Sequence, residues 1–154
     1  MQEPKNEMPL NCELKSYSVL CLSAVVLDDK TVEKGLRVDP NVRFDIGKSE
    51  YKAFVHCTYT VGGFDFICGI EGSFVYREPI SNDNVVNAWY NACTMLYGIM
   101  RGIYTSSVAQ ATHEVRFLPA VMMIGEIRRK LNALVEVQKA SESETERSIP
   151  PPQS

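Results

Sequence analysis

The chain has 154 residues, with a charged fraction of 23%, a hydrophobic fraction of 45% and a net charge of −3 at pH 7. A chain of this length forms one domain and buries roughly 70% of the surface of its unfolded form, which provides a core without disulfides or metals. The negative net charge argues against nucleic acid as the main partner, because phosphate binding requires a basic surface.

The beginning of the chain predicts no secretion signal, because residues 1–11 are polar and contain no apolar run. We expect these residues to form a disordered arm. The most apolar long stretch, residues 85–109, contains Asn87, Asn91 and Arg101, which are costly to bury in a bilayer. We therefore expect no membrane insertion and a cytoplasmic location. The five cysteines form no CxxC motif and are expected to be reduced and buried.

Two strands are predicted in the first third of the chain. Residues 14–27 are rich in leucine, valine and tyrosine, a composition that predicts a strand buried on both faces. In residues 36–46 apolar and polar side chains alternate, which is typical of a strand with one face in water. Pro40 interrupts this second pattern and has no N–H for the sheet, so we expect an edge strand or a bulge.

A β-hairpin is predicted around Gly62 and Gly63, which separate two apolar segments at residues 51–61 and 64–76. A two-residue glycine turn suits a hairpin because glycine readily adopts a positive φ. The turn fixes the register, and a shift of one residue would mix the apolar face with the polar face. The predicted apolar pairs are Val61 with Phe64, Tyr59 with Phe66, Cys57 with Cys68, Val55 with Ile70, and Tyr51 with Phe74.

A long helix is predicted to begin near Asn84, after polar residues that can cap it. Two neighbouring apolar rows give it a wide apolar face, and the stripe that remains carries a single charge. Glycines in this stripe cost roughly 1 kcal/mol each relative to alanine. We predict that the stripe packs on a partner subunit; the alternative is that the chain's own loops cover it. The candidate interface residues are Asn91, Thr94, Gly98, Arg101, Gly102 and Thr105.

A second helix is predicted after residue 118, with Pro119 in its first turn. We place a single domain at residues 12–138, with no internal repeat and no domain boundary. Residues 139–154 have the composition of a disordered acidic and proline-rich tail. The apolar stripe of the second helix consists of Val121, Ile124, Ile127, Leu131, Leu134 and Val137.

The sequence contains no pattern that predicts catalysis. His56 and Cys57 adjoin, but neighbouring side chains in a strand point to opposite faces and cannot act as a pair. Asp65 and Glu71 lie on one strand roughly 20 Å apart, too far for paired acid–base chemistry. Neither a nucleotide-binding glycine motif nor metal-ligand spacing occurs in the sequence. We therefore expect a protein that is not an enzyme and that has no cofactor or metal; the alternative is a small-molecule-binding or enzymatic domain that uses the crevice between the sheet and the helices.

Three segments together resemble the SecB family of protein-export chaperones. Residues 53–72 (AFVHCTYTVGGFDFICGIEG) resemble the family's hairpin, which turns through Gly-Gly and continues into Gly-Ile-Glu-Gly. Residues 96–112 are similar to the family's helix stretch that contains Leu-Phe-Pro and a later Arg. Residues 117–123 are similar to its Leu-Pro segment before the last helix. The resemblance spans about half of the chain, residues 52–123.

The resemblance implies an α+β, SecB-like fold in which a four-stranded antiparallel sheet with the Gly-Gly hairpin is followed by two helices. It implies a dimer of dimers that acts as an ATP-independent holdase, binding unfolded or nascent polypeptides in apolar grooves for protein export. Thr58 stands where exporter members carry an acidic residue that helps to dock the SecA motor. Whether SecA is a partner of this chain therefore stays open. The alternative is a dedicated partner-binding protein, for example for an antitoxin or mobile-element client. The implied groove residues are Tyr76, Trp89, Phe117, Leu118, Val121, Met122 and Met123.

Overall fold

The computed structural model describes residues 11–148, which form four strands followed by two helices. The strands are β1 (Cys12–Val26), β2 (Lys34–Phe44), β3 (Glu50–Val61) and β4 (Phe64–Tyr76), and they form one antiparallel sheet in the order β1-β4-β3-β2. Helix α1 (Val85–Thr112) contacts all four strands, while α2 (Ile124–Ser148) contacts β2 and α1. The predicted fold class is confirmed. Residues 1–10 of the predicted arm and 149–154 of the predicted tail lie outside the described residues.

The hairpin of β3 and β4 has the predicted register. All five predicted apolar pairs occur, from Val61 with Phe64 at the turn to Tyr51 with Phe74 at the far end. Both turn glycines adopt positive φ, at 59° for Gly62 and 75° for Gly63. Since directly paired side chains share a face, this register places the row of apolar side chains under α1.

Helix α1 lies on the apolar face of the hairpin and runs in the same direction as β3. At the start of β3 the Tyr51 hydroxyl donates a 2.8 Å hydrogen bond to the Ala88 carbonyl. Near its end, the ring of Tyr104 packs against the rings of Tyr59 and Phe66, with centroids 5.8 Å and 5.1 Å away. These contacts form the centre of the core, and they confirm the predicted apolar face of α1.

Strand β1 differs from its prediction. It forms one edge of the sheet, and most of its side chains are exposed rather than buried on both faces. Helix α1 covers the middle of the sheet, and no element among residues 11–148 packs beyond β1. A continuous apolar run shows that a strand has much surface to bury, but it does not show whether its own chain buries it.

Strand β2 forms the opposite edge, as Pro40 predicts, and this edge is closed. Pro40 offers no N–H, and its carbonyl accepts a 2.9 Å hydrogen bond from the Lys130 ammonium of α2. The same ammonium donates to Asn41 Oδ1 at 3.0 Å and pairs with the Asp39 carboxylate. A missing donor and a covering helix are both devices that prevent a further strand from pairing. The two edges of the sheet are therefore unlike.

The boundaries of α2 also differ from prediction. Pro119 is not in its first turn; the helix begins at Ile124. The Tyr97 hydroxyl donates to the Pro119 carbonyl at 2.6 Å and Leu118 enters the core, and these two contacts keep the connection extended. At its other end α2 continues through Ser148, into the segment predicted as a tail. The alanine, lysine and glutamate residues there favour a helix, and the prolines that stop one come only at 150–152.

Candidate functional site

The six predicted interface residues lie together on the face of α1 that points away from the sheet. A Cβ added at Gly98 or Gly102 would meet no atom within 4 Å. No side chain or loop among residues 11–148 therefore covers these two glycines, which contradicts the alternative that the chain's own loops pack on the stripe. Four of the six residues are exposed and two are half-buried: Thr94, Gly98, Arg101 and Gly102, and then Asn91 and Thr105.

An open groove of about 520 Å³ runs beside this stripe and links it to the connection between the helices. Arg101 is the one charged residue of its lining, and it has no ion pair within residues 11–148. Phe117 forms the wall contributed by the connection. The surface of α1 is thus uncharged except at Arg101 and continuous with an exposed aromatic ring.

The connection between the helices, residues 113–123, is here named the strap. It leaves α1 through His113, which has a positive φ of 59° and donates its N–H to the Ala109 carbonyl at 3.0 Å. The Arg116 guanidinium then donates to the carbonyls of Val61 and Gly62, at 3.2 Å and 3.3 Å. It also pairs with the Glu114 carboxylate at 2.6 Å. These contacts fasten the strap to the hairpin turn.

The strap combines two buried apolar side chains with three exposed ones. Leu118 and Met123 point into the core, whereas Val115, Phe117 and Met122 are 68–82% exposed. The buried pair holds the segment in place and leaves the exposed three in water. Of the seven predicted groove residues, Tyr76, Trp89, Leu118 and Met123 are buried in the core, Val121 is half-buried, and Phe117 and Met122 are exposed.

A second apolar surface lies on β1, whose sequence predicts a buried strand. Tyr17, Val19, Leu22 and Val26 are on the same sheet face as the helices, yet they are 43–52% exposed. We name them the β1 strip. Their partners on β4 are buried, so the strip extends the core outward past α1. The signal in the sequence is the absence of any charged residue from 16 to 26.

The thiols of the hairpin lack the properties of nucleophiles. Burial raises the pKa of Cys57 to about 12 and that of Cys68 to about 11, so both are protonated at neutral pH. His56 is exposed on the opposite face from Cys57, as the strand geometry predicts. Residues 11–148 contain no cluster of three histidine, cysteine or acidic side chains able to hold a metal ion. Among the same residues, neither helix is long and apolar enough to cross a bilayer.

Comparison with known proteins supports the fold. No protein-family model matches the chain, and no curated protein matches its sequence. Among solved structures, the fold is similar to that of a SecB-like chaperone from Mycobacterium tuberculosis, solved in complex with a ChAD peptide from the HigA1 antitoxin. The TM-score is 0.56 at 14% identity, and the match covers 73% of this chain and 91% of that one. The chain therefore has a SecB-like fold.

Proposed function

We propose that the chain is a subunit of an ATP-independent holdase that assembles with copies of itself and binds unfolded polypeptides on apolar surface. The observation that carries this proposal is the surplus of large exposed apolar side chains in the β1 strip and the strap. Soluble monomers rarely expose contiguous apolar patches beyond a few hundred Å², and larger ones mark interaction sites. Both surfaces reach the hairpin turn, where Leu27 N–H donates to the Gly63 carbonyl and Arg116 to the Gly62 carbonyl.

The β1 edge suits pairing with a second copy. A 15-residue strand with an uncharged stretch presents unpaired backbone groups along its outer side. Antiparallel pairing of two such strands would satisfy these groups and bury both β1 strips. It would also relieve the chain of a surface that otherwise promotes aggregation.

The α1 stripe suits a second, separate contact. Its exposed Gly98 and Gly102 let another backbone approach closely, and a face with Arg101 as its one charge costs little to dehydrate. Two different surfaces that each pair with themselves generate a tetramer with three twofold axes. The two contacts together support the dimer of dimers that the family resemblance implies.

The strap supplies the surface for the client. Phe117 and Met122 provide an aromatic ring and a flexible, polarizable thioether, side chains that adapt to many apolar partners. Because Arg116 and Leu118 anchor the segment, presenting these side chains costs little additional ordering. A protein of similar fold has been solved with a bound antitoxin peptide, and this supports polypeptide binding by the fold.

A dedicated partner-binding protein is the second candidate, and the surroundings of Thr58 favour it over a SecA-docking exporter. Thr58 pairs with Arg37 across β2 and β3, so neither residue offers the acidic group with which exporter members dock SecA. The structural neighbour was solved in complex with a peptide from an antitoxin, which is compatible with a dedicated partner. On this reading the chain serves one cytoplasmic partner.

The test is light scattering of an aggregating client without nucleotide, together with the native mass. We expect a mass of about four times 17.3 kDa and suppression of aggregation at equimolar tetramer. The double substitution Phe117→Ser and Met122→Ser is expected to remove protection, whereas Ile46→Ser, at an exposed apolar site outside the strap, is expected to keep it. Absence of protection by the wild type would overturn the holdase. Capture of one stoichiometric protein would favour the second candidate.

A further inference from the structure

A polar pocket lies at the β2 edge of the sheet, between β2, β3 and the first two turns of α2. Its volume is about 670 Å³, within the range of about 300–1,000 Å³ that is usual for ligand sites in proteins. The pocket wraps around the edge of β2, so residues from both sheet faces line it. The polar residues of the lining are Arg37, Asp39, His56, Thr58, Glu126 and Arg129.

Three polar side chains of this pocket lie together on the sheet face that is turned away from the helices. Thr58 pairs with Arg37 across β3 and β2, and His56 lies two residues before Thr58 on the same strand, so the three share a face. None of these side chains makes a hydrogen bond or an ion pair among residues 11–148. The pocket therefore presents a guanidinium, an imidazole N–H and a hydroxyl that have no acceptor.

The two carboxylates of the pocket are already paired. Asp39 pairs with the Lys130 ammonium, which reaches it from α2. Burial alone would raise the pKa of the Asp39 carboxyl, but the hydrogen bond from Lys130 and the other contacts of Asp39 lower it, so the group is ionised and held. Glu126 accepts two hydrogen bonds from the Arg129 guanidinium. Arg37 is left as the one charged residue of the described lining without an ion pair, and the pocket favours an anion.

A carboxylate on a short hydrocarbon stem fits this lining best. Arginine binds a carboxylate through two parallel N–H···O bonds, and the His56 N–H and the Thr58 hydroxyl add two further donors. The half-buried side chains of Leu36 and Val38 supply an apolar wall for the stem. A cationic ligand would find only carboxylates that Lys130 and Arg129 already neutralise, at positions where it would also be repelled.

We propose that this pocket binds an acidic segment of a partner polypeptide, with a glutamate or aspartate carboxylate held by Arg37, His56 and Thr58. Arg37 and His56 are exposed, so a segment that lies across the outer face of the sheet can reach them. The assignment goes beyond the proposed holdase function, because neither the strap nor the β1 strip takes part in it. Those surfaces are apolar, whereas this one selects a partner by charge.

The probe is a fluorescein-labelled peptide of alternating glutamate and glycine, titrated into the full-length protein and followed by fluorescence anisotropy. A matched peptide carries glutamine in place of each glutamate. We expect saturable binding of the glutamate peptide, at least about tenfold tighter than that of the glutamine peptide. Arg37→Ala is expected to raise the Kd about tenfold, and Arg37→Lys to recover only part of the loss, because lysine has no bidentate fork.

Arg43→Ala is the matched control. Arg43 is exposed on the same strand and the same sheet face but lies outside the pocket, and its removal changes the net charge by the same amount. We expect it to change the Kd less than about twofold. Arg37→Ala is expected to keep the wild-type Tm, because Arg37 makes no polar side-chain contact within residues 11–148, so its loss of binding is not a loss of folding.

Equal binding of the two peptides would overturn the pocket. An equal loss in Arg37→Ala and Arg43→Ala would overturn it too, since that result shows only a general attraction to positive charge. Displacement of the peptide by acetate at the same carboxylate concentration would assign the site to small carboxylates and overturn the polypeptide occupant. Failure here leaves suppression of client aggregation untouched, and a chain that binds the peptide without suppressing aggregation would lose only the holdase.

Discussion

Replacing Gly98 and Gly102 by alanine separates the stability of the single chain from its assembly. Both positions are in the interior of α1, and an added Cβ meets nothing within 4 Å. Alanine is favoured over glycine in a helix by about 1 kcal/mol per site, so we expect the double variant to raise the unfolding free energy of the isolated subunit by about 2 kcal/mol. For a chain of this length that corresponds to a rise in Tm of about 4–8 °C.

The same two methyl groups are expected to weaken assembly. If a partner backbone packs on the α1 stripe at the distance that glycine permits, each methyl enters occupied space. Overpacking of this kind costs about 1–3 kcal/mol per site. The dissociation constant of that contact is therefore expected to rise by at least about tenfold. The measurements are sedimentation velocity over a range of protein concentrations, and thermal unfolding at a concentration where the wild type is dissociated.

Gly125→Ala is the matched control, because Gly125 also has open space around it but lies on α2, outside the stripe. We expect this variant to leave the native mass unchanged. A double variant of α1 that gains stability and keeps the wild-type mass at every concentration would refute a close-packed stripe. A double variant that loses stability as a monomer would refute the open space itself.

Three further results are expected. Leu22→Lys places a charge on the exposed β1 edge and is expected to halve the native mass, while Val32→Lys, outside β1, is not; an unchanged mass for both would contradict pairing at this edge. Arg116→Ala frees the strap from the hairpin turn, at a cost of about 1–2 kcal/mol, and is expected to speed amide exchange in residues 113–123. Arg116→Lys is expected to restore only part of the protection, and equal protection in all three proteins would reject the anchor. Burial raises the pKa of Cys57 to about 12 and that of Cys68 to about 11, from an ordinary value of 9.0. At a pH between 9.0 and these raised pKa values, the two thiols keep protons in the folded chain that they lose in the unfolded chain. The contribution of the two thiols to the free energy of unfolding is then fully present below pH 9.0 and decreases above it, by up to about 1.4 kcal/mol per pH unit per thiol. Urea midpoints that stay constant from about pH 8 to 11 would contradict this.

The hairpin and α1 could be predicted because their information is local. Gly62 and Gly63 fix the turn, and the period of two in the flanking segments then leaves one register that separates apolar from polar side chains. The wide apolar face and the charge-poor stripe of α1 follow in the same way from helical spacing. Local patterns of this kind identify an element and its inner face.

The exposure of β1 and the closed edge at β2 depend on which elements pack together, and the spacing of apolar residues along the sequence does not contain that information. The apolar run of β1 is the same whether the strand is central or at an edge, so its exposure was not predicted. The closed edge at β2 depends on Lys130 reaching Pro40, two residues 90 positions apart. The burial of Trp89, which the family resemblance implied as a groove residue, likewise depends on how the elements meet.

The unlike edges of the sheet limit how far it can grow. In the terms of polymer chemistry, the sheet of each subunit is monofunctional, because β1 has an open edge while Pro40 and Lys130 block addition at β2. Joining two open ends consumes both and leaves a closed eight-stranded product, twice the four strands of one chain. Under the proposed pairing at β1, a protein that displays so much apolar strand surface would be protected from propagating into a fibril of its own.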